Sequence, residues 1–476
     1  MLLSLFCIKN NPFFMFAVFI DQDSPRTRYV LQEILSRRWN TALAIFTNWN
    51  EFKASNECFK IEYTTEKRDD SHSFFIQREN IIVEEGVNEY FNPTTNAYHI
   101  NENTKKHLSL RIKNLELSDS EKSRMLSVLD EPYPCLFPNN CDLGFDIFSM
   151  AFYFLSRYEE FQRFEEDKWG RFHYKNSFVS ELHYNPSPFL DVAIIHFLGL
   201  MGALEKIQLP FVVQPTVDID IAYRFKGRSL GRTLLSTFRF PLHLPHRIWS
   251  YLSRKDPFDP NNTVSEYLKG QENQSHVFWL CSSKTNGANK QVQRKYPPFQ
   301  SVIRTVDNQT NIGLHPSLST SPISDWKEEK EWLEKTTASN ITHSRQHFLH
   351  LLFPDTYHIL QKIGITDDWS MGFAENVGFR AGTAYPFNWF DLSKNKETSL
   401  CIHPFCLMDV TAKNYMKLNQ DQAVDVGRTL KELVFIFGGR FAFIVHNESL
   451  SEAEGWGGWK RVFNSWKNPK IAVTSS

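Results

Sequence analysis

Two aspartates one residue apart, Asp218 and Asp220, close an apolar run that reads Phe211-Val-Val-Gln-Pro-Thr-Val-Asp-Ile-Asp220. Such a run predicts a buried strand, and alternate residues of a strand face the same way, so both carboxylates can enter one cavity. Two acids this close repel each other unless something positive sits beside them, and a metal ion or an arginine is the usual solution. The plainer alternative is a strand end that runs into a solvated acidic loop. Further along the chain, His315, Arg345 and His446 also stand at the ends of apolar segments. Carboxylates and imidazoles are the ligands and proton carriers of metal-assisted hydrolysis, and an arginine favours the ionised form of a neighbouring carboxylate.

Residues this far apart meet only if the elements carrying them are parallel. From Val277 onward, short apolar runs alternate with helical segments. The pattern predicts strands over Val277–Cys281, Asn311–His315, Ile341–Arg345, Gly378–Ala381, Ser399–Met408 and Phe441–His446. Helices are expected over Asp325–Thr336, Pro354–Ile363 and Asp421–Phe437. Such alternation implies parallel strands in an open sheet or a barrel, and the polar residues fall at the rim where such folds assemble their sites. Residues 13 to about 205 read as a separate, mixed unit. It has a first strand ending near Ile20, a helix from Tyr29, and strands at Ala42–Phe46, Lys60–Tyr63 and Ile81–Glu84. Apolar helices follow over Asp146–Glu160 and Phe189–Ala203. Ser156-Arg-Tyr-Glu-Glu160 reads as a helix end with its own ion pairs rather than as a site.

Composition narrows the function classes. The chain has 476 residues, enough for two domains, and a net charge of −1 gives no electrostatic case for nucleic acid or an anionic membrane. Seven cysteines at irregular spacings, with no C-x-x-C pair, argue against a zinc ribbon or a disulfide framework and for reduced thiols. The apolar N-terminus is broken by Lys9, Asn10, Asn11 and Pro12, so neither a transmembrane span nor an export signal is expected, and the expected location is cytoplasmic. Arg224, Lys226, Arg228, Arg232, Arg239, Arg247, Arg254 and Lys255 mark a basic helical insertion at about 224–275. It reads as a solvated helix face that could also support peripheral association with anionic lipid or glycan.

Four segments, in order, resemble the polysaccharide deacetylase superfamily (carbohydrate esterase family 4): Thr216-Val-Asp-Ile-Asp220, Gly313-Leu-His-Pro-Ser317, Ser344-Arg-Gln-His-Phe-Leu349 and Phe443-Ile-Val-His-Asn447. Asp367-Asp-Trp-Ser-Met-Gly-Phe373, Gly378-Phe-Arg-Ala-Gly-Thr-Ala-Tyr-Pro-Phe387, Pro404-Phe-Cys-Leu-Met-Asp409 and Ser156–Glu160 are similar to a bacterial branch that joins this domain to an N-terminal domain of unknown function. The resemblance implies an α/β chain. A smaller α+β domain over 1–205 would precede a distorted (β/α) barrel over 206–470, with fewer strands than the eight-stranded form. It further implies a metal-dependent hydrolase that removes an acetyl group from an N-acetylated sugar or polysaccharide, using a divalent metal, zinc.

Position by position, Asp218 is similar to the family's general base and Asp220 to its metal-binding acid. His315 matches the first metal-binding histidine, Arg345 the arginine that positions the base, and His446 the histidine that protonates the departing amine. These roles match what amide hydrolysis needs: a Lewis acid at the acyl oxygen, a base for the attacking water, and a proton for a poor leaving group. A carboxylate supporting His446 is also needed, and Asp409 and Asp368 are both candidates.

The chain departs from the family at one position. Four residues after His315, where a second histidine is usual, stands Ser319, a poor zinc ligand. His347 could complete the site, two residues after Arg345 and on its face of an extended strand. Alternatively Ser317, Ser319 or water completes a looser one, or metal binding is lost. In the last case the chain would be a catalytically impaired glycan-binding or scaffolding module, or a structural partner in polysaccharide assembly. Trp369, Tyr385, Trp389 and Phe390 are candidates for stacking on a sugar, although aromatics in a chain with 41 Phe are mostly core.

Overall fold

The computed structural model describes residues 15–68, 72–162, 164–181, 186–227, 248, 255–284 and 288–471. The chain divides into two compact units. The first holds Met1–Gln162, Phe189–Leu209 and Phe390–Thr398, and the second holds Arg163–Pro188, Pro210–Trp389 and Ser399–Ser476.

The first unit is built on β1 (Met15–Ile20), β2 (Ala42–Phe46), β3 (Phe59–Thr64) and β4 (Phe74–Gln77), in the order β2-β1-β3-β4. All three pairings are parallel. The sequence suggests an α+β unit, but the helices Pro25–Leu31 and Trp49–Ala54 act as crossovers between consecutive strands, and crossovers give parallel pairing. β1 has partners on both sides and reads Met-Phe-Ala-Val-Phe-Ile, buried from Phe16 onward, as a central parallel strand should be. An antiparallel pair follows, β5 (Thr95–Tyr98) with β6 (Tyr133–Leu136). The expected strand at Ile81–Glu84 is instead a single turn of 3-10 helix, Asn80–Ile82. The apolar helix is Ile147–Leu155, buried along its whole length and capped by the Asp146 carboxylate, which accepts the Phe148 and Ser149 N–H groups. Just beyond it, Arg157 pairs with Glu159 at 2.6 Å and Glu160 at 2.7 Å in a buried fork, so the Ser156–Glu160 segment is an internal ion-pair cluster.

The second unit begins with β7 (Phe211–Ile219), β8 (His276–Leu280), β9 (Asn311–His315), β10 (His343–Ser344) and β11 (Asp367–Asp368). It continues with β14 (Leu407–Met408) and β15 (Gly439–His446), while β12 (Phe387–Asp391) and β13 (Lys396–Ile402) are divided between the two units. They form one sheet in the order β12-β13-β11-β10-β9-β8-β7-β15-β14, and every pairing from β13 to β14 is parallel. The molecule is therefore an α/β protein with largely parallel sheets. Gly378–Ala381, expected as a strand, is a turn in which Gly378 takes a φ of 112°, a left-handed value that suits glycine. The Ser399–Met408 run breaks into two strands at His403–Cys406, where Pro404 cannot donate to a ladder.

Period-two alternation sets the two faces of this sheet. Val217, Ile219, Val277, Trp279, Ile312, Leu314, Phe441, Phe443 and Val445 pack with helix residues Phe299, Val302, Leu430 and Val434. Their alternates, Asp218, Phe278, Gly313, His315 and His446, turn the other way. Gly313 has to be small, because a Cβ there would lie 2.5 Å from the Phe278 ring. Of the basic insertion, Arg228, Arg232, Arg239, Arg247 and Arg254 lie outside the described residues; the helix Pro260–Leu268 follows. Among the described residues, no helix is long and apolar enough to cross a membrane.

Candidate active site

β15, β7, β9 and β10 deliver their side chains to one place because they lie side by side in the sheet, with only β8 between β7 and β9. His446 pairs across from Asp218, and Leu314 from Ser344, so the residues just past each strand end lie side by side. Asp220 is the hub. His315 Nε2 lies 3.1 Å from its Oδ1, His347 Nε2 3.5 Å from its Oδ2, and His446 Nε2 4.0 Å from the same oxygen. One ligand atom each of Asp220, His315 and His347 lies within 4.8 Å of the others.

The protons argue for a cation in this trio. His315 Nδ1 is 2.6 Å from the Arg345 carbonyl, and a carbonyl only accepts, so Nδ1 carries the hydrogen. In the neutral ring Nε2 then presents a lone pair to a carboxylate oxygen 3.1 Å away. That oxygen, Asp220 Oδ1, is buried and makes no hydrogen bond, and the contact lacks hydrogen-bond alignment. A positive charge between these atoms, a proton on Nε2 or a metal ion, relieves the contact, and one carboxylate with two imidazoles is a donor set that fits a divalent metal. The backbone carbonyl behind His315 is the kind of partner that orients a metal-ligating histidine. Burial works against the charge on Asp220, but His347, His315 and His446 outweigh it and hold the carboxyl well below its ordinary range. Burial, helped by His315 and His446, holds the His347 imidazole below its usual value despite Asp220, which favours the neutral ligand form.

Asp218 and His446 flank the trio, each with a partner behind it. The fully buried Arg345 places Nη1 3.3 Å from Asp218 Oδ1, donates Nε to the Trp369 carbonyl at 3.0 Å, and lies over the Phe278 ring at 4.7 Å. His446 donates Nδ1 to Asp409 at 2.8 Å, and its backbone N–H goes to the other Asp409 oxygen at 2.7 Å. Burial opposes the charge of His446, yet Asp409, with Asp220 and Asp218, raises its pKa well above the usual value. Asp409 is thus the carboxylate on His446. Asp368, the other candidate for that place, instead accepts from Ser344, Ser370 and Tyr357, with burial raising its carboxyl to about 6.

The two serines do not join the trio. Ser317 donates its hydroxyl to Glu329 at 2.5 Å, and its N–H goes to the same carboxylate. Ser319 donates to Asp325 at 2.5 Å. Both acceptors sit on the helix Pro322–Thr337, so that helix holds the loop after His315 and uses up its hydroxyls. Trp369, Tyr385, Trp389 and Phe390 are at most 5% exposed and offer no face to a ligand. Burial pushes Glu329 up to about 7 and, with Asp220 adding to it, Glu448 to about 7. Glu448 stands two residues past His446 and was not singled out from the sequence, although the His446-Asn-Glu448 spacing is visible there.

A second group of ligand types gathers where β11 begins and β13 ends: Asp367, Cys401 and His403. His403 Nε2 is 2.8 Å from Asp367, and Arg440 donates Nη1 to His403 Nδ1 at 3.0 Å. An arginine only donates, so Nδ1 is the acceptor and Nε2 carries the hydrogen given to Asp367. Both ring nitrogens are used, and a guanidinium occupies the place from which a ligating ring is normally supported. Trp369 stacks on His403 at 4.1 Å, with His276 4.2 Å from the same indole. The sequence carried no signal for this grouping, whose members come from separate strands.

Residues 16–205 match the model of a family of unknown function, DUF7033. No curated protein matches the chain. Among solved structures, it is similar to a protein of Mycobacterium smegmatis assigned to the polysaccharide deacetylases, with 14% identity and a TM-score of 0.35 over 54% of this chain and 83% of that one. It is similar to the allantoinase Puue at 9% identity and a TM-score of 0.34, over 54% and 84%. It is also similar to the carbohydrate deacetylase Agd3 at 7% identity and a TM-score of 0.34, over 96% and 84%. These likenesses are distant, and the functional reading rests on the geometry of the site.

Proposed function

We propose that the chain is a metal-dependent hydrolase that removes an acetyl group from an N-acetylated sugar or polysaccharide. The observation that carries this reading is the sharing of Asp220 by His315 and His347, between a carboxylate backed by an arginine and an imidazole backed by a carboxylate. Asp220, His315 and His347 would hold the ion, and two nitrogens with one oxygen suit zinc. A bound divalent ion polarises the acyl oxygen and stabilises the charge that develops there.

In this reading Asp218 is the base. It takes a proton from the attacking water, and Arg345 keeps its carboxylate oriented toward the site. His446 is the acid. Its Nδ1 is committed to Asp409, which leaves Nε2, 4.0 Å from Asp220, to give its proton to the nitrogen as the C–N bond breaks. Water adds to the acyl carbon, the amine leaves with the proton from His446, and Asp218 ends protonated. The sugar part of the proposal comes from the resemblance of the four motifs. The closing of the nine-stranded sheet into a distorted (β/α) barrel belongs to the same proposal.

A second reading is favoured by Ser319, which stands where the family's second histidine is usual and is bonded to Asp325. It makes the chain a glycan-binding module with impaired catalysis. One experiment separates the two: metal analysis of the purified protein combined with acetate release from a panel of N-acetylated sugars. About one equivalent of ion with acetate release supports the hydrolase. Bound sugar without release, with the ion present, supports the binding module.

A further inference from the structure

The aromatics expected to meet a sugar are buried, yet one exposed indole lies beside the site. Trp169 is 37% exposed, and among the described residues it is the only tryptophan that is exposed. It belongs to the segment Arg163–Pro188, which is part of the second unit. Its ring stacks on Phe348 at 4.8 Å with 27° between the planes, and the Phe348 ring lies 4.3 Å from that of His347. A step of two flat rings therefore leads from the candidate metal ligand toward solvent.

A single exposed aromatic needs no explanation, but this one is held in place. Asp167 accepts the backbone N–H groups of Trp169 at 2.8 Å and Arg171 at 3.0 Å, and Gly170 closes the turn with a φ of 74°. Arg171 pairs with Asp167 at 2.6 Å and donates to the Phe348 carbonyl at 2.7 Å, tying this turn to the 3-10 turn His347–Leu349. Phe348 and Leu349 take φ values of 59° and 55°, costly for non-glycine residues, and this bend is what turns the Phe348 ring outward beneath Trp169.

We propose that Trp169 and Phe348 form a stacking subsite for a pyranose ring next to the sugar that reacts, so that the enzyme favours oligomers over monosaccharides. This rests on the deacetylase reading and specifies its substrate class. The C–H face of a pyranose is apolar and slightly positive, and an indole face is apolar and electron-rich, so the two stack. Lys168 Nζ lies 5.5 Å from the indole centroid and, on an exposed side chain, can donate to a sugar hydroxyl.

The test is a length series of N-acetylated hexosamines, from one ring to four, with wild type, Trp169→Ala and Trp169→Phe. The ratio of oligomer to monosaccharide kcat/KM should fall by about tenfold in Trp169→Ala, chiefly through KM, and stay near wild type in Trp169→Phe. An unchanged ratio overturns the proposal. If no acetate is released from any member, the deacetylase reading fails instead. Calorimetric binding of the same oligomers then decides the subsite: weaker binding to Trp169→Ala supports it, and equal or absent binding overturns it.

Discussion

The second unit contains two clusters with nearly the same inventory, and only one is arranged for a cation. Asp220 and His315 stand at the ends of β7 and β9 with His347 just beyond β10; Asp367 opens β11, and Cys401 and His403 lie at the end of β13. In the first, a backbone carbonyl takes the hydrogen of His315 Nδ1 and leaves Nε2 facing the buried oxygen of Asp220. In the second, Arg440 occupies His403 Nδ1, the hydrogen sits on Nε2, and Asp367 receives it. Proximity of ligand types is therefore weak evidence for a metal. What decides is whether the atom behind each imidazole accepts a proton or donates one.

The sharpest way to break this comparison is to count ions. Asp220→Asn should drop the metal content from about one equivalent to below about 0.1, and acetate release should go with it, because two imidazoles without the carboxylate hold a divalent ion poorly. Cys401→Ser should keep its full equivalent and its activity. An ion that survives Asp220→Asn, or one that leaves with Cys401, would invert the assignment.

A smaller effect is expected at the proton donor. Asp409→Asn removes the charge that outweighs burial at His446, while the ion should remain. Activity near neutral pH should fall on the order of a hundredfold, and the alkaline limb of kcat/KM should move to lower pH, since His446 then loses its proton earlier. The stability linkage has the same direction. A raised folded pKa stabilises the protein at acid pH and is lost as pH climbs through that value, so the variant should lack this fall. An alkaline limb that stays in place would take His446 out of the acid's role.

The parts of this site that were legible in the sequence are those that follow from alternation. Asp218, Asp220, His315 and His446 close apolar runs in which every second residue is core, and the strand His315 ends is Asn311–His315 in both readings. The choice among His347, Ser317 and Ser319 was not legible. It depends on Glu329 and Asp325, on the following helix, which take the two hydroxyls through contacts that no spacing rule announces. The sugar-facing aromatics were misjudged for a related reason. A tryptophan such as Trp369 looks the same in sequence whether it lines a cleft or stacks on His403, and the strands beside it are two residues long, too short to show a period. The parallel first sheet was missed because the second crossover helix spans only six residues and the first passes at Gln32 into a π-helical stretch that breaks the 3.6-residue period.

The smallest effect probes the second cluster without touching the first. Burial, with Arg440 and His343 adding to it, holds His403 down to about 4, while Asp367 opposes. An unfolded histidine titrates near 6.5. As pH falls from about 6.5 toward 4, the unfolded chain takes up a proton there that the folded protein refuses, so stability declines. For a side chain this buried, that decline is on the order of 3 kcal/mol. His403→Gln keeps a donor for Asp367 and removes the titration, so its stability should be flatter by that amount across the same window, by urea unfolding at a series of pH values. The wild-type slope would not vanish entirely, because burial also holds His276 and His343 below their usual values. If His403→Gln leaves the slope unchanged, the ring is not held neutral by its surroundings. If a chelator shifts the wild-type curve but not that of His403→Gln, the second cluster does hold an ion, and the contrast drawn from Arg440 fails.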